Sequence, residues 1–598
     1  MSGSSRRQAH FQWSARRWVL SVLGGVVALL VVAGGIFAYQ VAQARSALVS
    51  AESRAQTLQT RLTANDQNGA QSALDQLQLA TKKAKSSTNG VLWSVASHVP
   101  VFGDDVSTVR TVARVLDDVS TTGIQPLVDA TGKVDANAFT PRNGRVDLAG
   151  IVAVRPALAD ASKSLTAGKR DLAAIDTHAL VGQLRGPVEK LRAKIDSAQR
   201  TASAGEKAAR LLPAMLGQGS KRSYILAFQN NAEIRSTGGL PGAYAILEAD
   251  NGRLSITDQG TAAKLGYFEP PVVKLKSDER NLYSNLMASF FADTTFTPDF
   301  PRAAGIMRAM VKERTDVEAD GIISVDPVAL SYLLRGTGPL TLEDGTKLTS
   351  ENAVRVLLND VYKKYADSPE KQDAYFADAA RRVFSAVTSG KGDPTTVLRS
   401  MSDAVRENRI LVASADRKEQ ALLESTRIAG ALPEDSGSTP HVGLYLNDST
   451  ETKLEYYLRR KTTVASTGCT RQGVQQLELT TVLTSTAPPD AASLPESILG
   501  PGTGEKRGSM RMNLRYYAPY GGHVEELTVN GAPVTVNLGD HKGREVAILP
   551  VLLAPGQKTT VEASITSGAS QRKAAVFSTT PGIEPTPNNV AVPSACVE

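Results

Sequence analysis

Arg222 to Tyr244 reads RSYILAFQNNAEIRSTGGLPGAY, and the fold of the chain turns on this stretch. Tyr224 to Phe228 is a short apolar run bounded by polar residues and turn formers, the pattern of a buried strand rather than a helix. Three adjacent amides follow (Gln229, Asn230, Asn231), then Glu233 and Arg235, then Thr237-Gly238-Gly239 and Pro241-Gly242. Glycines let backbone approach a ligand closely, and a loop at the carboxyl end of a core strand stands where open α/β sheets bind ligands. Gln229, Asn230, Asn231, Glu233, Gly238 and Gly239 are therefore candidate ligand-binding residues. The competing reading is a tight turn between two strands, with Glu233 and Arg235 as structural partners.

Downstream, Tyr244 to Glu248 and Arg253 to Ile256 read as a hairpin joined by Asp250-Asn251-Gly252, whose Asn-Gly is a strong turn signal. Asn281 to Ala292 and Arg302 to Lys312 are helical in pattern, separated by FTPDFP. Gly321 to Val325 is a predicted buried strand, and Pro327 to Leu334 a short helix opened by Pro327 behind Asp326. A strand over Pro339 to Leu342 turns at Glu343-Asp344-Gly345, and Thr349 or Ser350 caps a helix reaching Tyr362. Helices over Asp373 to Thr388 and Pro394 to Asn408, then a strand over Arg409 to Val412, complete an α/β domain spanning residues 220–440. From about Gly443 the pattern is alternation. Leu454 to Leu458, Val474 to Thr484, Ser509 to Tyr517, Glu525 to Val536, Arg544 to Leu553 and Thr559 to Thr566 are strand candidates between turn residues, the signature of a β-sandwich over residues 441–598 with a Pro-rich tail from Thr580.

Upstream, residues 1–17 are polar and carry Arg6, Arg7, Arg16 and Arg17. Trp18 to Tyr39, WVLSVLGGVVALLVVAGGIFAY, is uncharged, apolar and long enough at about 1.5 Å per residue to cross a bilayer of about 30 Å. Aromatic residues stand at both of its ends. The arginines before it place the N-terminus in the cytoplasm and the bulk of the chain outside, as a single-pass cell-membrane protein. A signal peptide cleaved near Ala42-Gln43-Ala44 is the alternative; the apolar stretch is longer than the roughly 7–15 residues of such peptides, which favours an uncleaved anchor. Residues 40–219 are rich in Ala, Leu, Gln, Lys and Arg, with a break at Val99-Pro100-Val101-Phe102-Gly103. They read as a helical stalk or bundle.

At 598 residues with a formal charge of +7, the chain exceeds one core and spreads its basic residues among acidic ones, which argues against nucleic acid as the main partner. Neither a CxxC nor an HExxH motif occurs, so a zinc site is not expected. The two cysteines, Cys469 and Cys596, read as one disulfide if their region is extracytoplasmic; two buried thiols are the alternative.

QNNAEIRSTGGLPGAYA, DFPRAA, DGIISVDPVALSYLLRGTGPL and LNDSTETKLEYYL resemble the recurrent motifs of a bacterial membrane-anchored family catalogued as domain of unknown function 4012. That resemblance implies location and architecture, not an activity. The order of strand, Arg-containing loop, hairpin, DGIISVDPVALSYLLRGTGPLTL and a helix bearing Asp378, Arg381 and Arg382 is more distantly similar to the LytR-CpsA-Psr family. Those cell-wall enzymes move glycopolymers from a polyprenyl-pyrophosphate carrier, with arginines on the pyrophosphate and acidic residues on Mg²⁺. By position, the similarity implies catalytic roles for Arg235 and for Arg381 or Arg382. The chain departs from the pattern at Ser255-Ile256-Thr257-Asp258, which lacks the arginine of the family's Ser-Ile-Pro-Arg-Asp element, and Thr237 and glycines replace the acidic partner of the first arginine.

Pyrophosphate chemistry needs positive charge or Mg²⁺ over the oxygens that transfer and leave. Arg235, Lys264 and Arg381 or Arg382 could supply the charge if they converge, and Asp258 or Asp378, or Glu233, could hold Mg²⁺. The expected function is a membrane-anchored cell-envelope protein that binds or transfers a lipid-linked (pyro)phosphate glycopolymer. The alternative is a non-catalytic envelope scaffold that binds polymers or proteins.

Overall fold

The computed structural model describes residues 7–64, 66–100, 102–131, 141–435, 437–501 and 506–596, with side chains from residue 32 onward apart from 63 and 131. The chain is multidomain, with a helical N-terminal region, a central α/β region and a C-terminal region of strand-rich sheets. It divides into two compact units, Met1–Ala138 with Ala149–Leu212, and Phe139–Leu148 with Pro213–Glu598.

The described residues of the first unit are mainly helical. Its elements include Arg7–Thr63, Gln67–Thr88, Gly103–Asp118, Leu148–Ala173 and Gly182–Met215. Apolar residues at helical spacing meet across these helices, with Leu58, Leu74 and Leu77 in one cluster and Val115, Leu165, Leu172 and Ile195 in another. Lys85 is held by Asp117 and Asp118 at 2.9 and 3.0 Å. The Ala157 to Leu212 stretch is interrupted between Ala173 and Gly182, where Asp176 accepts from the His178 amide in a turn. Trp18 to Tyr39 belongs to the helix Arg7–Thr63, but most of it lies outside the described side chains. Among the described residues, no helix is long and apolar enough to cross a membrane.

The second unit is built on three main sheets. In the first, strands β1 (Arg222–Asn230), β2 (Leu240–Asp250), β3 (Arg253–Thr261) and β4 (Gly321–Val325) are followed, after the two-residue strands β5 (Leu340–Thr341) and β6 (Lys347–Leu348), by β7 (Ile410–Ser414). Its order is β3-β2-β1-β4-β7, and only the β1–β4 pair is parallel. The predicted hairpin is β2–β3, and Asn251 and Gly252 both take positive φ, 45° and 82°, as a tight two-residue turn requires. Asp326 accepts from the Ala329 amide at 2.7 Å and so starts the helix Pro327–Thr337.

The C-terminal strands are β8 (His441–Asp448), β9 (Leu458–Cys469), β10 (Gln475–Ser485), β11 (Met510–Tyr517), β12 (Val524–Val529), β13 (Ala532–Pro533), β14 (Asn537–His541), β15 (Arg544–Leu553), β16 (Lys558–Thr566), β17 (Ala575–Thr579) and β18 (Val590–Val592). They form two sheets, β13-β12-β16-β10-β9 and β14-β15-β11-β8-β17-β18. Leu444 and Leu514 from one sheet and Leu477, Leu479 and Val561 from the other share a single core, which also takes in Ile234, Leu334 and Leu357 of the α/β region. Leu454 to Leu458, expected as a strand, is instead a short 3₁₀ turn followed by β9. Cys469 and Cys596 are disulfide-bonded and tie the chain end to β9.

Candidate functional site

The loop after β1 is buried from Asn231 to Thr237, and most of its polar groups are spent internally, Asn231 Oδ1 and Arg235 Nε being without a partner. Gln229 donates to the Ser324 hydroxyl at 2.6 Å, while its carbonyl accepts from the Gly239 amide at 2.8 Å. Asn230 donates to Glu233 and to the Tyr362 hydroxyl at 2.9 and 3.0 Å. Lys453 approaches Glu233 at 3.2 Å. Gly238 has φ of 139°, and a Cβ on Gly239 would lie 2.2 Å from the Asn230 carbonyl oxygen, so these glycines serve close packing of the loop on itself.

Arg235 is 4% exposed. Its guanidinium lies 3.4 Å from Asp293 and 3.6 Å from Asp448, stacks 4.8 Å from the Phe296 ring centroid, and donates to the Ile234 and Asp448 carbonyls. Asp448 also accepts from the Thr450 amide and hydroxyl and from the Glu451 amide. Burial raises the Asp293 carboxyl to about 6, with the Arg235 charge opposing it. Asp448 is raised for the same first reason. The neighbouring Asn447 and Ser236 exchange hydrogen bonds at 3.0 Å. The motifs QNNAEIRSTGGLPGAYA and LNDSTETKLEYYL therefore recognise each other, and Arg235 lies in the seam between the α/β region and β8.

The remaining candidates lie elsewhere. Arg381 donates to Gln259 at 3.0 Å, beside the exposed Asp258 on β3. Arg382 pairs with Asp378 at 2.9 Å, and Asp378 also accepts from the Glu343 amide. Arg381 and Arg382 are about half exposed, at 51% and 42%, and Lys264 is exposed. Among the described residues, none of these groups contacts Arg235 or its two carboxylate partners. Arg235 itself is enclosed by two carboxylates, which a pyrophosphate would have to displace. Of the carboxylates expected to hold Mg²⁺, Asp378 is committed to a guanidinium and an amide, and Asp258 is exposed on β3. Among the described residues, no group of three or more His, Cys, Asp or Glu side chains could hold a metal.

A cleft of about 450 Å³ opens where Asn231 and Ile234 of the loop meet the start of β9 and the Pro-rich segment 582–593. Asn231 and Glu455 in its wall are each 1% exposed. Burial first, and the Asp448 carboxylate second, hold the Glu455 carboxyl well above the usual carboxylate range. Burial lowers the Arg460 guanidinium, also in the wall, to about 10, which leaves it charged at neutral pH. The segment over the cleft is anchored by Arg409, whose guanidinium donates to the Gly582 and Glu584 carbonyls at 2.8 and 2.6 Å while pairing with Asp326 and Glu407. Glu455, Arg460 and Arg409 escaped the sequence reading. Glu455 and Arg460 sit in or beside LNDSTETKLEYYL, among apolar and aromatic residues that carry no local mark of a site; Arg409 precedes an apolar strand and carries no local signal.

Residues 219–362 match the model of a family described as a protein of unknown function, DUF4012. No curated protein and no solved structure matches the chain.

Proposed function

We propose that the protein is a membrane-anchored, extracytoplasmic component of the cell envelope, held by Trp18 to Tyr39, whose second unit binds an envelope ligand without transferring it. The α/β region is read as a divergent relative of the LytR-CpsA-Psr transferases, and the strand-rich region as a β-sandwich that completes the binding module. One observation carries the preference for binding over transfer. Arg235, the residue the similarity assigns to pyrophosphate, is buried between Asp293 and Asp448. An anion entering there would meet two carboxylates, and the missing arginine at Ser255 to Asp258 supplies no replacement.

The transferase reading keeps one supporting observation: Arg381 and Arg382 are half exposed, and Arg381 donates to Gln259, next to Asp258 on β3. The test is to purify the full chain in nanodiscs, analyse it by mass spectrometry for co-purified polyprenyl phosphates, and assay glycopolymer transfer with and without Mg²⁺. Transfer that disappears in Arg381→Ala and Arg382→Ala would replace the binding reading with the catalytic one. The anchor is tested separately: a reporter active only in the cytoplasm, fused after Glu598, is expected to be silent, and a signal would overturn the orientation.

A further inference from the structure

Three packed layers fix how the first helices run past one another. Ala51 and Leu58 of the helix Arg7–Thr63 cluster with Leu74 and Leu77 of the helix Gln67–Thr88. Ala47 clusters with Ala84 and Ala113, and Ala44, with Phe37 beside it, clusters with Trp93 and Val106. Residue numbers fall along the first helix as they rise along the second, so the two are antiparallel. The chain therefore turns back between Thr88 and Gly103, beside the end of the apolar run Trp18 to Tyr39. Trp93 of the helix Val91–Ala96 is buried at this turn, its ring 5.1 Å from that of Phe37. The Gly103 amide donates to the Val99 carbonyl at 2.8 Å where the helix Gly103–Asp118 begins.

The outer side of this turn is apolar. Val91 and Val95, one helical turn apart, are 80% and 63% exposed, and Phe102 is exposed as well. Val32, Ile36 and Tyr39, spaced to share a stripe of the first helix, are exposed at the neighbouring level. Residues 86–103 carry no Asp, Glu, Lys or Arg; Lys82, Lys83 and Lys85 stand before them, and Asp104 and Asp105 after. A turn that faces water is ordinarily polar, so apolar side chains gathered at this one mark a surface that is covered in use. The layers say by what. Phe37 belongs to the apolar run read as the anchor, so its contact with Trp93 puts the turn at the depth where that run leaves the bilayer, and the aromatic Tyr39 and Phe102 suit that depth. We propose that the helix Val91–Ala96 and Phe102 form a second, non-spanning membrane contact, seating Val91, Val95 and Phe102 about 5–10 Å into the boundary between head groups and acyl chains. This rests on the anchor reading of Trp18 to Tyr39 and adds a second place where the helical region meets lipid.

Both native cysteines are joined in the disulfide, so an introduced cysteine is the one free thiol. Leu29→Cys, Val49→Cys, Val91→Cys and Val95→Cys are made singly in the full chain, labelled with nitrobenzoxadiazole in nanodiscs, and read for quenching by lipids spin-labelled at a shallow or a deep acyl position. Labels at Val91 and Val95 are expected to shift to the blue and lose about half or more of their emission to the shallow quencher, as interfacial seating requires. The label at Leu29 is expected to answer to the deep quencher. Val49 lies ten residues past Tyr39, about 15 Å along the helix and beyond the head groups, so its label is expected to stay unquenched. Val91→Asp is expected to relieve quenching of the Val95 label without changing the far-ultraviolet circular dichroism, because Val91 is exposed. A quenched label at Leu29 with unquenched labels at Val91 and Val95 overturns the proposal and leaves the anchor standing. No quenching at any of the three removes both. A blue shift at Val91 and Val95 without lipid quenching, lost when the protein is diluted among nanodiscs, overturns the proposal in favour of a second copy as the cover, and unchanged quenching in Val91→Asp overturns it too.

Discussion

Replacing Arg235 by Met tests whether this arginine holds the fold or serves a ligand. The substitution keeps an apolar stem against Phe296 and removes the guanidinium that contacts Asp293 and Asp448. At an effective dielectric of about 20, each contact of this length corresponds to roughly 5 kcal/mol of Coulomb attraction, most of which offsets the desolvation of the charges. Breaking a buried pair by removing one partner costs about 3–5 kcal/mol, because the remaining charge stays buried and uncompensated. The Asp448 side chain is fully inaccessible, which points to the upper part of that range at pH 8. At pH 5 the loss is expected to be smaller, since the two carboxyls can take up protons. Tryptophan fluorescence is a poor readout, because all three tryptophans lie at or before Trp93. Hydrogen exchange of peptides covering β1 and β8 reports on the seam directly. At about 1.4 kcal/mol per factor of ten, protection of their slowest amides should fall by roughly 10² or more. Protection within tenfold of the parent at pH 8 would refute the structural assignment of Arg235.

Asp293 should make stability pH-dependent in an unusual direction. Its native carboxyl titrates at about 6 against an ordinary 3.8, so between these values the native state holds the extra proton and stability falls as pH rises, by roughly 3 kcal/mol in all. Asp293→Asn should flatten the exchange-derived stability of the second unit over about pH 4–6, and an unchanged slope would rule this group out. Cys469→Ser opens a closed loop with a sequence separation of 127, for which chain entropy predicts a loss of about 4–5 kcal/mol, read as earlier proteolysis near the C-terminus. Gly239→Ala should cost about 2–3 kcal/mol by pressing a methyl onto the Asn230 carbonyl, whereas Gly242→Ala, whose nearest neighbour would be Leu240 at 3.6 Å, should be close to neutral in thermal unfolding.

Local signals carried much of the α/β region. The apolar run at Tyr224 to Phe228, the Asn251-Gly252 turn and the Asp326-Pro327 cap each act over a few residues, so periodicity and turn chemistry alone located β1, the β2–β3 hairpin and the helix Pro327–Thr337. The same locality explains the failures. Strand β9 alternates between partly buried and exposed residues rich in Thr, Arg and Lys, so it carried too little apolar signal, while Leu454 to Leu458 carried enough to mimic a strand and is a 3₁₀ turn. Strand β18 is three residues long and is held by pairing with β17, a partner defined only once the chain has folded.

The sequence by itself determined the order of elements, the density of polar groups around Arg235 and the availability of two cysteines for one bond, because each is written in neighbouring residues or in composition. What those polar groups touch was decided only by tertiary structure. Asp293 and Asp448 are 58 and 213 residues from Arg235, and their convergence depends on β8 packing beside the loop. The same packing closes the charged loop to solvent, because burial is a property of surfaces brought together and not of residue types.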